Sequence, residues 1–169
     1  MVVVVALSVV LSGCGKKASE KMAEKMVESA MAKDGVKGKV DISGDKVTVQ
    51  TKDGTTTFSG GGNAKIPDNF PKEVYVPDGA TITASASTPG GFTLVLQVKD
   101  PGDKVAEVYK SKMTGAGWKE ESSMNQPGMN MLVYKKAGTT MTAIIAGSDK
   151  VTQVSLNVAE DKKAAKATE

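Results

Sequence analysis

The sequence predicts an α+β fold: an N-terminal amphipathic helix with a small β-meander, then an antiparallel sheet with one packed helix, in the order β-β-α-β-β-β-β. Three observations carry this expectation. Apolar residues recur at helical spacing in two stretches, whereas most of the remaining chain alternates apolar and polar residues with a period of two. Turns rich in Gly, Asp and Pro separate the alternating runs at hairpin distance. The chain has one Cys and no His, so no disulfide framework is available. Its stability must come from apolar burial and hydrogen-bonded strands, for which its Val, Thr and Ile residues are suited.

The first periodic stretch covers 18–33, with Met22, Ala23, Met26, Val27, Ala30 and Met31 on one side and Glu and Lys on the other. Ser19 is the expected N-cap and Asp34-Gly35 the expected stop. Two supports are open to the apolar stripe, the sheet that follows or a bilayer surface. The mixed signs on the polar face favour the sheet, because helices that lie in a bilayer interface are basic there. Val40 and Ile42, Val47 and Val49, and then 55–58 alternate around the turns Ser43-Gly44-Asp45 and Lys52-Asp53-Gly54, which predicts the meander. Gly60-Gly61-Gly62-Asn63 interrupts it with a run that has no side chains to bury and a large ordering cost.

The segment 65–80 contains Pro67, Pro71 and Pro77, which forbid a helix, and Ile66, Phe70, Val74 and Val76, which can pin an extended chain to a core. Strands at 81–87 and 92–98 follow, joined by Pro89-Gly90-Gly91. Asp100-Pro101-Gly102-Asp103 reads as an N-cap acid, a proline at the first helical position and a second acid in the first turn. The helix then runs to about 114 with Val105, Val108, Tyr109 and Met113 on one face, and Gly115-Ala116-Gly117 stops it. Strands at 118–123, 130–135, 139–146 and 151–158 complete the unit, with turns at Gln126-Pro127-Gly128, Ala137-Gly138 and Gly147-Ser148-Asp149-Lys150. The implied organisation is 1–13 leader, 14–17 spacer, 18–59 helix and meander, 60–64 glycine-rich linker, 65–159 α+β domain and 160–169 flexible tail.

The leader assignment rests on residues 2–11, an apolar run of roughly ten residues that suits a signal-peptide core and is short of the ~20 needed to span a bilayer. Leu11-Ser12-Gly13-Cys14 follows and resembles the lipobox of bacterial lipoproteins. That resemblance implies cleavage before Cys14 and a thioether-linked lipid with palmitate on the new N-terminus. No Lys or Arg precedes Cys14, so the usual basic n-region is missing and the true start codon is expected upstream. Gly15 in place of Asp after the lipidated residue points to the outer membrane where a cell has two. The wider pattern is similar to a set of small bacterial envelope lipoproteins. The residues that carry it are Cys14-Gly15-Lys16-Lys17, a Glu/Lys/Met helix, Val47-Thr48-Val49 with Asp53-Gly54, the run from Ile66 to Val74, Tyr109-Lys110 and Gly117-Trp118. The resemblance brings no catalytic or binding residue with it.

Composition narrows the chemistry further. A net charge of +3 spread along the chain does not form the stripe that nucleic acid requires. Without His, and with Cys14 carrying lipid, the near-neutral acid/base and the thiolate nucleophile are both missing. No Gly-x-Ser-x-Gly or Ser-x-x-Lys context surrounds a hydroxyl, and no carboxylate pair has environments that would separate two pKa values. Asp41, Asp45 and Asp53 lack the spacing of a calcium loop and read as turn residues. Met124, Met129, Met131 and Met141 fall near one hairpin, and thioethers suit Cu(I); the competing reading is that methionine fills gaps in apolar packing. Trp118, Tyr109 and Tyr134 read either as a groove for a glycan or peptide or as core anchors, with aromatic scarcity favouring the core.

The functional expectation is a non-enzymatic, lipid-anchored envelope lipoprotein without a cofactor. It binds or spaces another envelope component, with exposed strand edges available for strand addition. The alternative is a carrier of a small ligand or of Cu(I), using an apolar pocket or the methionines.

Overall fold

The computed structural model describes residues 16–147 and 150–161. The expected lipobox with Cys14, Ser148 and Asp149 of the last turn, and the residues from 162 lie outside the described residues. The element order is α1 (Lys16–Lys33), β1 (Gly38–Ser43), β2 (Lys46–Thr51), β3 (Gly54–Gly60), β4 (Thr81–Thr88), β5 (Gly91–Val98), α2 (Gly102–Gly115), β6 (Lys119–Gln126), β7 (Met129–Lys136), β8 (Thr139–Gly147) and β9 (Thr152–Glu160). This is the expected α+β arrangement. The unit after the proline-rich segment is built as β-β-α-β-β-β-β.

All nine strands form one antiparallel sheet in the order β1-β2-β3-β4-β5-β9-β8-β7-β6. Each tight turn sets a hairpin register, and the central strands pair along their whole length, as Leu94 with Leu156 and Ala143 with Leu156 illustrate. The glycine run ends β3 and makes a single 3-10 turn, Gly61–Asn63. β3 then pairs with β4 from Thr57–Ser87 to Gly60–Ala84, so the sheet runs through the boundary expected at 60–64.

One face of the sheet is the core. Leu94 and Leu96 of β5, Val154 and Leu156 of β9, Met141, Ala143 and Ile145 of β8, and Leu132 and Tyr134 of β7 are buried there. α2 closes this face with Val105, Ala106, Tyr109 and Met113, and the extended segment adds Phe70 and Val74. Phe70 meets Phe92 edge-on at 5.6 Å, and Tyr75 meets Tyr109 in the same way at 5.2 Å. Such pairs add about 0.5–1.5 kcal/mol beyond burial.

Several local expectations are corrected. Ser19 lies inside α1 rather than at its cap, because the helix already runs at Lys16. Pro101 takes the N-cap position of α2. Asp100 instead accepts the Thr152 hydroxyl at its carbonyl, 2.6 Å, and pairs with exposed Lys104 at 2.7 Å. Glu160 belongs to β9, and the Asp161 carboxylate accepts the Thr140 hydroxyl at 2.8 Å, so ordered structure reaches two residues into the expected tail. Trp118, by contrast, takes the expected place as a core anchor between α2 and β6, with Nε1 donating to the Glu73 carbonyl at 3.2 Å.

The largest departure concerns α1. Met22 and Met26 are each 68% exposed, so half of the expected apolar stripe turns away from the sheet, while Ala23, Val27 and Met31 are half-buried against its edge. Beside them stand three glutamates. Glu28 and Glu24 each place Oε1 on a backbone N–H of β1, at Val40 (2.9 Å) and Ile42 (2.9 Å), and Glu20 does the same at Gly44 of the turn that follows (3.1 Å). Alternate N–H groups of an edge strand point away from its neighbour, and four helical residues rise about 6 Å, close to the ~6.8 Å of two strand residues. A carboxylate every fourth helical position therefore meets every second N–H of the strand. α1 is a cap on the sheet edge.

Candidate functional site

Sealing β1 leaves β6 as the other terminal strand of the sheet, paired only with β7 among the described strands. β6 and β7 form a hairpin because Pro127-Gly128 supplies a two-residue turn with Gly128 at a φ of 78°, bringing Gln126 opposite Met129. All eight β6 residues are exposed. Its first half carries Lys119, Glu120 and Glu121 and a register shift between Glu120 and Ser122. Charge and bulging both discourage pairing with another chain. Its second half, Ser122 to Gln126, has neither.

Beside that uncharged half lies a row of side chains on the face of the sheet opposite α2. Met124 is opposite Met131, Met131 opposite Ile144, Ile144 opposite Ser155, and Ser155 opposite Val95. In β7 the buried residues are Asn130, Leu132 and Tyr134, so Met129, Met131 and Val133 point to this second face. Met124 is 40% exposed, and its sulfur accepts from Gln126 Nε2 at 3.7 Å. The four methionines expected near one hairpin are thereby divided. Met124, Met129 and Met131 share a face, whereas Met141 is opposite Tyr134 and fully buried against α2. The fourth thioether is removed from that set because neighbouring strand positions alternate between faces. Among the described residues no three His, Cys, Asp or Glu side chains gather as a metal site, and no helix is long and apolar enough to cross a membrane.

A second feature is an open cleft of about 850 Å³ above β3 and β4. It is bounded by the turn from Ser43 to Lys46, by Thr57, Ser59, Ser85 and Ser87, and by the segment carrying Lys65, Asp68 and Asn69. Its lining mixes hydroxyl and amide groups with apolar surface that includes Ile66 and Pro67, and carries Asp45 and Asp68 as well as Lys46 and Lys65. Asp45 and Asp41 stand at or near the first hairpin turn, and Asp53 lies in the next, where its N–H donates to Thr51 Oγ1 at 3.2 Å. None forms part of a carboxylate cluster among the described residues.

The aromatic residues do not make a groove. Trp118, Tyr109 and Tyr134 are all core residues. Burial pushes the Tyr109 hydroxyl well above its ordinary pKa near 10, helped by Tyr75, and that hydroxyl is buried without a hydrogen-bond partner. Tyr134 is raised too, by burial first and then by the Glu120 carboxylate, which accepts its hydroxyl at 3.3 Å. Sequence reading missed the apolar row beside β6. Its signal was present in β7, where Met129, Met131 and Val133 alternate with Leu132 and Tyr134, so that both faces of one strand are apolar.

Residues 79–155 match a family model described as START domain-like. The matched stretch, less than half of the chain, takes in β4 to β8, α2 and the start of β9, and goes with a ligand-binding type of fold. Among curated proteins and solved structures, none matches the chain.

Proposed function

We propose that this protein is a lipid-anchored, non-enzymatic binding module of the cell envelope, tethered through Cys14, that accepts an extended segment of another envelope component along the uncharged half of β6. One observation carries the reading: an eight-residue terminal strand exposed throughout, flanked by the row Met124, Met131 and Ile144. An added strand gains main-chain hydrogen bonds from the open edge and side-chain contacts from the row. Methionine adapts its shape to the occupant, which suits a surface that takes varied apolar side chains. The contrast with β1 supports this, since that edge is sealed by three glutamates.

The test places a photo-crosslinking residue at Asn125 and, as control, at exposed Lys110 of α2, in cells making the full chain. An envelope protein captured from position 125 and not from 110, and lost when Ser123→Lys sets a charge on the edge, supports the reading. Equal capture at both positions, or capture that survives Ser123→Lys, overturns it. The tether is tested separately by radiolabelled palmitate, which Cys14→Ser should abolish while leaving residues 1–13 attached.

A second reading, favoured by the 850 Å³ cleft together with the START domain-like match, is a carrier of a small polar ligand. The hydroxyl lining, with Lys46 and Lys65 balanced by Asp45 and Asp68, suits a hydroxylated molecule. Native mass spectrometry of the purified chain should then show a bound mass that Ser87→Trp removes by filling the cleft.

A further inference from the structure

The outer face of α1 has a composition that the sequence conceals. Read along the helix axis, 18–33 forms rows of residues spaced by four. One row is Glu20, Glu24 and Glu28, and the adjacent row is Ser19, Ala23, Val27 and Met31; both are half-buried toward the sheet edge. The two remaining rows face away. They are Lys17, Lys21, Lys25, Ser29 and Lys33, and beside them Ala18, Met22, Met26 and Ala30, all exposed. Every acid of the helix is thus consumed by N–H groups of β1 and of the turn after it. The free face is purely cationic, and its lysines take part in none of the ion pairs among the described residues. The mixed sign seen in sequence belongs to two different faces.

We infer that this face of α1 is a contact surface for an anionic phospholipid bilayer. The lysine row meets headgroup phosphates, and Met22 and Met26 enter the boundary between headgroups and acyl chains. Charge complementarity selects this occupant, and a row of lysines beside a row of apolar side chains is the arrangement by which helices lie in a bilayer interface. The sheet-edge cap would then also set the domain's orientation, with β1 nearest the bilayer and β6 at the far end of the sheet. None of this requires an acyl chain on Cys14.

The experiment uses the chain from residue 14 onward, which contains every described element, with Cys14→Ser and no lipid. It is sedimented with vesicles of phosphatidylglycerol and phosphatidylcholine, or of phosphatidylcholine alone. Binding to the anionic vesicles only, lost in about 0.5 M salt, is expected. Each lysine near an anionic surface contributes about 1 kcal/mol, or roughly fivefold, so Lys21→Gln with Lys25→Gln should lower partitioning about thirtyfold. Lys110→Gln with Lys119→Gln, which makes the same change in net charge elsewhere, should leave it within about twofold. With Cys14 replaced, Met26→Cys offers a single thiol for an environment-sensitive dye, whose emission should shift to the blue on anionic vesicles. No binding at low salt, an equal loss from both lysine pairs, or an unshifted dye overturns the inference. Failure of palmitate labelling would leave this result untouched, and failure here would leave the β6 reading untouched.

Discussion

Replacing Glu24 by Ala should loosen the sheet edge by an amount that the geometry allows one to work out. Glu24 Oε1 accepts the Ile42 N–H at 2.9 Å, and Ile42 is an edge residue whose N–H points away from β2. A hydrogen bond to a charged group contributes about 1.5–3 kcal/mol. Glu24 is only half-buried, so water can replace part of it, and the lower end applies. Alanine is a slightly better helix former than glutamate, which returns a few tenths. The expected net loss is about 1.4 kcal/mol, a factor of ten in an opening equilibrium. Amide hydrogen exchange read by NMR should therefore show the Ile42 N–H exchanging about tenfold faster in Glu24→Ala, with a smaller change at Val40 and Gly44. Glu24→Gln keeps an acceptor oxygen and should lose about half as much. Replacing Glu20, Glu24 and Glu28 together removes about 4 kcal/mol of docking and should release α1, exposing the edge and causing concentration-dependent association. An Ile42 amide that exchanges at the same rate in Glu24→Ala, with α1 still helical by circular dichroism, would refute the argument.

Four further outcomes follow from the core and the turns. Tyr109→Phe removes a buried hydroxyl that has no partner and should raise stability by about 1 kcal/mol in urea unfolding. Because folding raises the pKa of Tyr109 and Tyr134 above the ordinary value, the unfolded chain releases these protons first as pH increases. Stability should be level in these groups below about pH 10 and fall above it by about 1.4 kcal/mol per pH unit for each tyrosine, with a shallower fall in Tyr109→Phe. Ala137 sits at a φ of 47° beside Gly138 at 77°, a turn that favours Asn-Gly, so Ala137→Asn should raise the thermal midpoint by an amount equivalent to about 1 kcal/mol. Gly91 has a φ of 147°, and an added Cβ would stand 2.0 Å from the Val158 carbonyl oxygen. Gly91→Ala should therefore part β5 from β9 and lose several kcal/mol, seen as loss of the cooperative transition.

Local pattern and tertiary pairing divide this protein between them. The alternation of Leu94, Leu96 and Val98, and of Val154, Leu156 and Val158, announces strands with one buried side, and the spacing of Val105, Tyr109 and Met113 announces the helix that covers them. Such periods are properties of neighbouring residues and are legible without a fold. Turn residues such as Pro127-Gly128 are equally local, and they set the hairpin register. The expected lipobox from Leu11 to Cys14 is likewise a matter of adjacent residues.

What the sequence could not reveal is which elements meet across distance. The strand order, which brings β9 between β5 and β8 and leaves β1 and β6 at the edges, depends on pairings between segments far apart in the chain. Only once β1 is an edge do Glu20, Glu24 and Glu28 become a cap, and only then are Met22, Met26 and the lysines turned outward. The same holds for the methionines near β7, whose division between two faces follows from cross-strand register. Sequence by itself determined the periods and the turns. Tertiary structure decided which polar groups are satisfied and which surfaces are left open, because an unpaired N–H has no identity until the strands have chosen their neighbours.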